Sequence, residues 1–376
     1  MHRRTFLKLG AVAGGAFFFG GGERLVRTSV AGAQSAVPTV DRLVMTNVVD
    51  NIYDVFARAG QIGDVMVQRV PLPAAGAPGP TLLSEHGLAY HLESFRGSER
   101  KEILLDFALT GATLLSNYNA VKIDPARADA LILSHGHNDH YGALPDLAGM
   151  MTAWAERGIS LYAGGQDTFC HRWVLGPDGQ RRDGGQLDLA TLDSSGIQTM
   201  MAEQPTTVVG HAFTSGHIPR LTDFETPPAS ARLEAGVMGS GCDASQHFPA
   251  GTLQVEAQPG ELVQDIFWGE HATAYHVQNR GLVVISSCGH AGIVNSIRQI
   301  QQVSGVEKVH AVVGGWHLAP SPPEVIASTM SAFKQIDPDY LIPMHCTGFN
   351  MISAMQREMP SKLILPSTGT RVVFGA

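Results

Sequence analysis

The chain has 376 residues, a formal net charge of −8 and four cysteines, with 44% hydrophobic and 16% charged residues. That composition supplies a sizeable core and excludes wholesale disorder, and four cysteines over this length exclude a disulfide-built scaffold. Sixteen histidines are many for a chain of this size and point towards metal chemistry.

Residues 1–33 read as a leader. Arg3-Arg4 stand one residue before Phe6-Leu7-Lys8, a weakly apolar Gly-rich run follows from Leu9 to Gly22, and Ala31-Gly32-Ala33 offers small residues to a signal peptidase. The apolar run falls short of the ~20 residues that span a bilayer, so no stable membrane anchor is expected. The twin arginine predicts export of the folded protein by the Tat machinery to the periplasm. Loss of the five Lys/Arg and one Glu of this segment takes the net charge from −8 to −12. That argues against nucleic acid and anionic membrane surfaces as partners and leaves a small-molecule substrate. An oxidising compartment requires that thiols be buried or paired. Cys170 and Cys242 fall in two irregular segments, where pairing is open to them but not legible.

Beyond the leader, strand-like and helix-like runs alternate. Strands are expected at 43–49, 88–95 and 101–109, a short helix at 110–120, and a short buried strand at 130–133. A helix over 144–157 and a strand over 159–163 follow. The second half repeats the rhythm: strand 281–287, helix 292–304, strand 309–313, helix 322–336, strand 340–343 and a last strand at 371–374. Interleaved helices and strands predict an α/β fold with helices layered over sheet. Gly, Pro, Ser and Asp mark 71–80, 164–199 and 227–260 as loops or insertions. Long irregular segments of this kind often carry function.

The densest chemical signal is Leu133-Ser134-His135-Gly136-His137-Asn138-Asp139-His140-Tyr141. Three imidazoles and a carboxylate lie directly after a buried strand. A loop there can aim His135 and His137 to one point, and Asp139 and His140 to a second close by. Neutral imidazoles with a carboxylate suit zinc, and also iron or manganese. Three further apolar runs end in histidine: Val283 to His290, Ala311 to His317, and Leu341 to His345.

His-x-His-x-Asp-His after a strand resembles the signature of the metallo-β-lactamase fold. The resemblance implies an αββα sandwich with a dinuclear metal site at its edge. Residues 34–376 would then form one such domain, with insertions near 164–199 and 227–260. Five further runs narrow the likeness: Glu85-His86-Gly87-Leu88, His217-Ile218-Pro219-Arg220, Ser287-Cys288-Gly289-His290-Ala291-Gly292, Gly314-Gly315-Trp316-His317 and His345-Cys346-Thr347-Gly348. Together they are similar to the 7,8-dihydropterin-6-methyl-4-(β-D-ribofuranosyl)aminobenzene-5′-phosphate synthase family, members of which are also described as metal-dependent hydrolases. This chain departs from the family pattern at His217, where the family has Glu, at Asp106-Phe107-Ala108, where it has Asp-Thr-Gly, and at Gly289, where it has Ser.

On that basis two divalent cations are expected, the first held by His135, His137 and His290 and the second by Asp139, His140 and His345. Asp139 is also assigned to catalysis. Two cations lower the pKa of shared water, so a hydroxide bridging them is the expected nucleophile. Asp106 is expected to hold the far nitrogen of a ligand imidazole. His86 and His317 are expected to touch substrate, and Arg220 to grip an anionic group. His217 is either a further ligand or, as favoured here, part of the pocket. Cys346, next to His345, is expected to face away from it as strand alternation requires, and the role of Cys288 is open. The favoured activity is hydrolysis of an ester, lactone or phosphoester. The alternative is a synthase acting on a pterin phosphate, which the exported location argues against.

Overall fold

The structure, a computed structural model, describes residues 37–70, 81–236, 242 and 260–375. The leader at 1–33, the loop at 71–80 and most of 237–259 lie outside the described residues. Two large sheets are stacked face to face. The first has nine strands in the order Gln198–Met201, Ser160–Ala163, Ala130–Leu133, Glu99–Leu105, Ala89–Arg96, Arg42–Val49, Arg371–Phe374, Val65–Gln68 and Gly60–Ile62. The second has seven. Six run Thr207–Val208, Ala212–Thr214, Thr273–Val277, Gly281–Ser286, Val309–Gly314 and Tyr340–Pro343, and Thr39–Val40 pairs in parallel with Thr273–Val277.

Side-chain alternation builds the layers. Ile103, Leu105, Ala130 and Ile132 face Val283, Ile285, Ala311 and Val313 across the centre. Their neighbours Leu104, Leu131 and Leu133 turn outward and pack with Leu114, Tyr118, Leu147 and Trp154 from covering helices. On the opposite side Leu282, Val284 and Val312 meet Ile297, Met330 and Phe333. Strands buried on both faces read as continuous apolar runs because each successive side chain finds a different core. The expected αββα sandwich is the observed one.

Several boundaries differ for identifiable reasons. The strand expected over 101–109 ends at Leu105, because Asp106 (φ 59°) and Ala108 (φ 54°) adopt left-handed backbone and leave the ladder. The helix expected over 144–157 is two helices, Leu144–Met150 and Thr152–Arg157, separated by Met151 at ψ 71°. Phe349–Glu358 is a helix not anticipated from the sequence.

The two irregular segments come together. Arg181–Gly185, Arg172–Leu175, Ala231–Glu234 and Leu262–Gln264 form a separate four-stranded antiparallel sheet. Leu233 and Val263 pack against a disulfide between Cys170 and Cys242, 72 residues apart. Among the described residues no helix is long and apolar enough to cross a membrane.

Closing a loop of this length restricts the unfolded chain, which in the chain-entropy picture stabilises the fold by about 4 kcal/mol. Replacing both cysteines by alanine is expected to lower stability by up to that amount in urea denaturation. An unchanged midpoint would show that the bridge does not constrain the unfolded chain.

Candidate metal centre

The parallel strands of both sheets deliver their carboxyl ends to one edge of the sandwich, the usual place for ligands in sheets of this kind. Ala130–Leu133 is fully buried, and the chain leaves it through Ser134 into the histidine loop. His137 caps the one-turn helix Asn138–Tyr141, which swings Asp139 and His140 inward. Gly136 passes so close to the carbonyl of Thr168 and the guanidinium of Arg172 that a Cβ would collide with both. His290 follows the strand Gly281–Ser286, His317 follows Val309–Gly314 and His345 follows Tyr340–Pro343.

The rings converge. The His135 centroid lies 4.7 Å from that of His137, 4.3 Å from His140 and 5.0 Å from His290. One ligand atom each from His135, His137 and His290 fall within 4.8 Å of one another, as do those of His86, Asp139 and His345. Asp139 Oδ2 is 3.1 Å from His345 Nε2, 3.4 Å from His86 Nε2 and 3.8 Å from His140 Nε2. The structure groups His135, His137 and His290 as expected and places Asp139 and His345 together with His86, while His140 falls in a group with His135 and Cys288 and lies 3.8 Å from Asp139 Oδ2.

Three of the imidazoles are gripped from behind. Ser134 Oγ meets His135 Nδ1 at 2.9 Å. The buried carboxylate of Asp106 meets His140 Nδ1 at 2.8 Å, and accepts from Ser134 N and Ser134 Oγ, each also at 2.8 Å. Asn51 Oδ1 lies 3.1 Å from His345 Nδ1, and Asp50 Oδ1 accepts from His345 N at 2.9 Å. What faces inward is unpartnered: His135 Nε2, His140 Nε2 and both ring nitrogens of His290 are buried with no hydrogen bond. A buried polar atom without a partner costs about 1–3 kcal/mol, and several aimed at one place fit a divalent cation. Burial, then repulsion between neighbouring imidazoles, drives His135 and His290 well below their ordinary titration range, so both are neutral as ligands must be. Burial also disfavours charge on His140, but Asp139 and Asp106 outweigh it and lift the imidazole to about 9. The fold thus favours positive charge at this position, which a cation supplies in place of the proton.

Other residues fall differently from expectation. Arg220 does not line the cleft. Its guanidinium donates to the carbonyls of Glu225 (3.1 Å), Ile266 (3.0 Å) and His290 (3.0 Å), bracing the His290 turn. His217 is neither in a ligand group nor on the cleft wall. It stacks on Trp268 at 3.5 Å with Nδ1 3.1 Å from the Trp268 carbonyl, so the favoured pocket assignment is corrected. Cys346 does not point away from the site but lines it, 3.2 Å from Cys288 Sγ. Strand alternation fails there because His345 has φ 49° and opens a 3₁₀ turn. His317, also left-handed at φ 47°, joins Cys288 and His290 in a ligand group and faces the cleft.

Three contributors were not anticipated. Glu270 accepts from the backbone N–H groups of His290 and Ala291. Arg172 donates to the Gly136 carbonyl at 3.1 Å and to Asp265 at 2.9 Å. Phe267 stacks on His290 at 4.1 Å. Asp50-Asn51 directly follow a strand, a signal that a search of all polar strand ends, rather than histidines alone, would have found. The cleft itself measures about 440 Å³, and Trp173, Val174 and Arg232 of the small sheet line it together with the histidines.

Comparison with known proteins agrees with this geometry. Residues 96–149, the stretch holding the histidine loop, match the metallo-beta-lactamase superfamily. Over 304 residues the chain is 27% identical to 7,8-dihydropterin-6-methyl-4-(beta-D-ribofuranosyl)-aminobenzene-5′-phosphate synthase of Methanocaldococcus jannaschii, covering 80% of this chain and 93% of that protein. A solved metal-dependent hydrolase of the beta-lactamase superfamily superposes with a TM-score of 0.60 at 20% identity, covering 88% of this chain and 98% of the other. The chain has the metallo-β-lactamase fold.

Asp106→Asn replaces the acceptor at His140 Nδ1 with a group that also donates. It is expected to weaken binding of divalent metal by 10- to 100-fold, measured by competition with a chelator. An unchanged affinity would show that Asp106 does not orient the ligand.

Proposed function

Starting from that fold, we propose that the protein is an exported metal-dependent hydrolase that cleaves an ester, lactone or phosphoester of a small molecule. That the chain is an enzyme follows from the superfamily match and the named enzyme relative. The observation that carries the metal reading is the set of buried, unpartnered imidazole nitrogens on His135, His140 and His290. His135, His137 and His290 would hold one divalent cation, and Asp139, His140 and His345 a second, zinc being favoured by the nitrogen-rich donor set. Such a pair lowers the pKa of water and polarises a substrate oxygen.

The protein's own groups do the rest. Asp106, Ser134 and Asn51 fix ring orientation, which keeps the donors in place as charge develops. His86, with its side chain 67% exposed and Nε2 3.4 Å from Asp139 Oδ2, is placed to pass a proton between cleft and solvent. His317 lines the cleft and can donate to a substrate oxygen. Trp173 and Val174 offer an apolar surface to the remainder of the substrate. A second reading, a synthase acting on a pterin phosphate, is favoured by the 27% identity spanning 93% of the named synthase.

Two observations support export. One is the twin arginine at Arg3-Arg4. The other is the Cys170–Cys242 bridge, a kind of bond rare in reducing compartments. Both weigh against a place in cytoplasmic pterin metabolism, which is the reason for preferring hydrolysis.

Protein purified from the periplasm is expected to carry about two divalent metal ions per chain by elemental analysis, because His135, His137, Asp139, His140, His290 and His345 are more donors than one tetrahedral ion can use. It should hydrolyse members of a panel of generic esters, lactones and phosphodiesters, and His137→Ala should abolish that turnover. Active protein with metal near zero would sink the metal reading. Consumption of a pterin phosphate without hydrolysis of the panel would favour the synthase.

Arg3→Lys with Arg4→Lys is expected to leave uncut protein in the cytoplasm by cell fractionation. Normal periplasmic delivery of that double variant would point to another route.

A further inference from the structure

Among the described residues, Cys288 is the one donor common to three separate ligand groups. Its Sγ falls within 4.8 Å of the ligand atoms of His135 and His140, of His290 and His317, and of His345 and Cys346. Those partners come from both sets of proposed metal donors. The sulphur therefore lies where the two sets meet, while Asp139 lies at one side with His86 and His345. The local chain explains the placement. The strand Gly281–Ser286 runs out into Ser287-Cys288-Gly289-His290, and Gly289 adopts φ 69°. A left-handed glycine there, with any Cβ 3.1 Å from Trp316, turns the chain so that Cys288 and His290 both face the cleft.

We propose, resting on the metal reading above, that the Cys288 thiolate is a ligand shared by both cations. The dimensions allow it. Cations in paired sites stand about 3.5–4 Å apart and zinc–sulphur bonds are about 2.3 Å, so one sulphur reaches both. The ring nitrogens that surround it are unpartnered on residues more than nine-tenths buried, at His135, His140 and His290. The neighbouring thiol is otherwise engaged. Cys346 Sγ accepts from His317 N at 3.2 Å and lies 3.5 Å from the Cys288 carbonyl, and it shares only one ligand group. On binding, the Cys288 thiol loses its proton to solvent and the sulphur forms two bonds to metal, with no change of oxidation state. A thiolate at the centre biases the site towards zinc and away from manganese.

Cobalt(II) tests this without reference to turnover. Protein stripped by chelation and titrated with cobalt should develop a near-ultraviolet sulphur-to-cobalt charge-transfer band that grows through both the first and the second equivalent. Cys288→Ser should lose the band while still binding cobalt, and Cys346→Ser should keep it, with circular dichroism establishing that both variants are folded. A band confined to one equivalent would overturn sharing. A band lost in Cys346→Ser and kept in Cys288→Ser would assign the sulphur to the other cysteine. A full cobalt complement with no band would exclude thiolate ligation. If either serine variant fails to fold, the corresponding alanine variant carries the same comparison. Absence of cobalt binding in the unaltered protein would instead remove the metal reading on which the proposal rests.

Discussion

Imidazole nitrogens that are buried and have no hydrogen-bond partner are the constraint around which the molecule is arranged. The His135 ring lies 4.3 Å from that of His140 and 5.0 Å from that of His290 at the sandwich edge, and nitrogens of all three are buried without a partner. Such nitrogens are tolerable only if they have somewhere to go, and anchoring the other nitrogen, as at His135 and His140, fixes where they point. The anchors come from successive strand ends: Asp106 after one, Ser134 after the next, Asp50 and Asn51 after a third. Parallel strands with their carboxyl ends aligned are what make those contributions meet, so the sheet topology and the donor geometry are one arrangement.

The backbone carries part of the cost. Asp106, Ala108, Phe267, His317 and His345 all have left-handed φ without being glycine, and all lie at or beside the centre. Such residues each cost about 1–3 kcal/mol and persist where surrounding contacts over-determine them. Here those contacts are visible. Asp106 is held by three hydrogen bonds, and His345 by Asp50 and Asn51.

Much of this was legible in the sequence, for physical reasons. A strand buried on both faces is a run of aliphatics, and Ala130–Leu133, Gly281–Ser286 and Val309–Gly314 announce themselves as such. A histidine immediately after such a run can only emerge at the sheet edge, which is why His135, His290 and His345 were identifiable as partners far apart in the chain. The errors have a common source. Cys346 was placed by extending strand alternation one residue past the point where His345 breaks it, and a left-handed non-glycine has no sequence signature. Arg220 was expected to meet a ligand's negative charge, yet three backbone carbonyls satisfy its guanidinium, and carbonyl positions are fixed by tertiary folding alone. His217 was judged by its motif, but its stacking on Trp268 depends on a residue 51 positions away. The small sheet was unreadable because Arg181–Gly185 has no apolar alternation and Arg172–Leu175, which it pairs with, takes its other neighbour, Ala231–Glu234, from a different segment.

That small sheet stands apart from the sandwich in one respect. It has its own crosslink and its own minor core of Leu233 and Val263, and it presents Trp173, Val174 and Arg232 to the cleft from strands that carry no donor residue. A change at any of the three alters what the cleft admits while every strand end that supplies an imidazole stays as it was. Arg172 marks the boundary of this freedom, because its bond to the Gly136 carbonyl ties the wall to the histidine loop. Evolution can therefore retune the substrate range of such a molecule by drift in one appended ribbon, and inherit the reactive machinery intact.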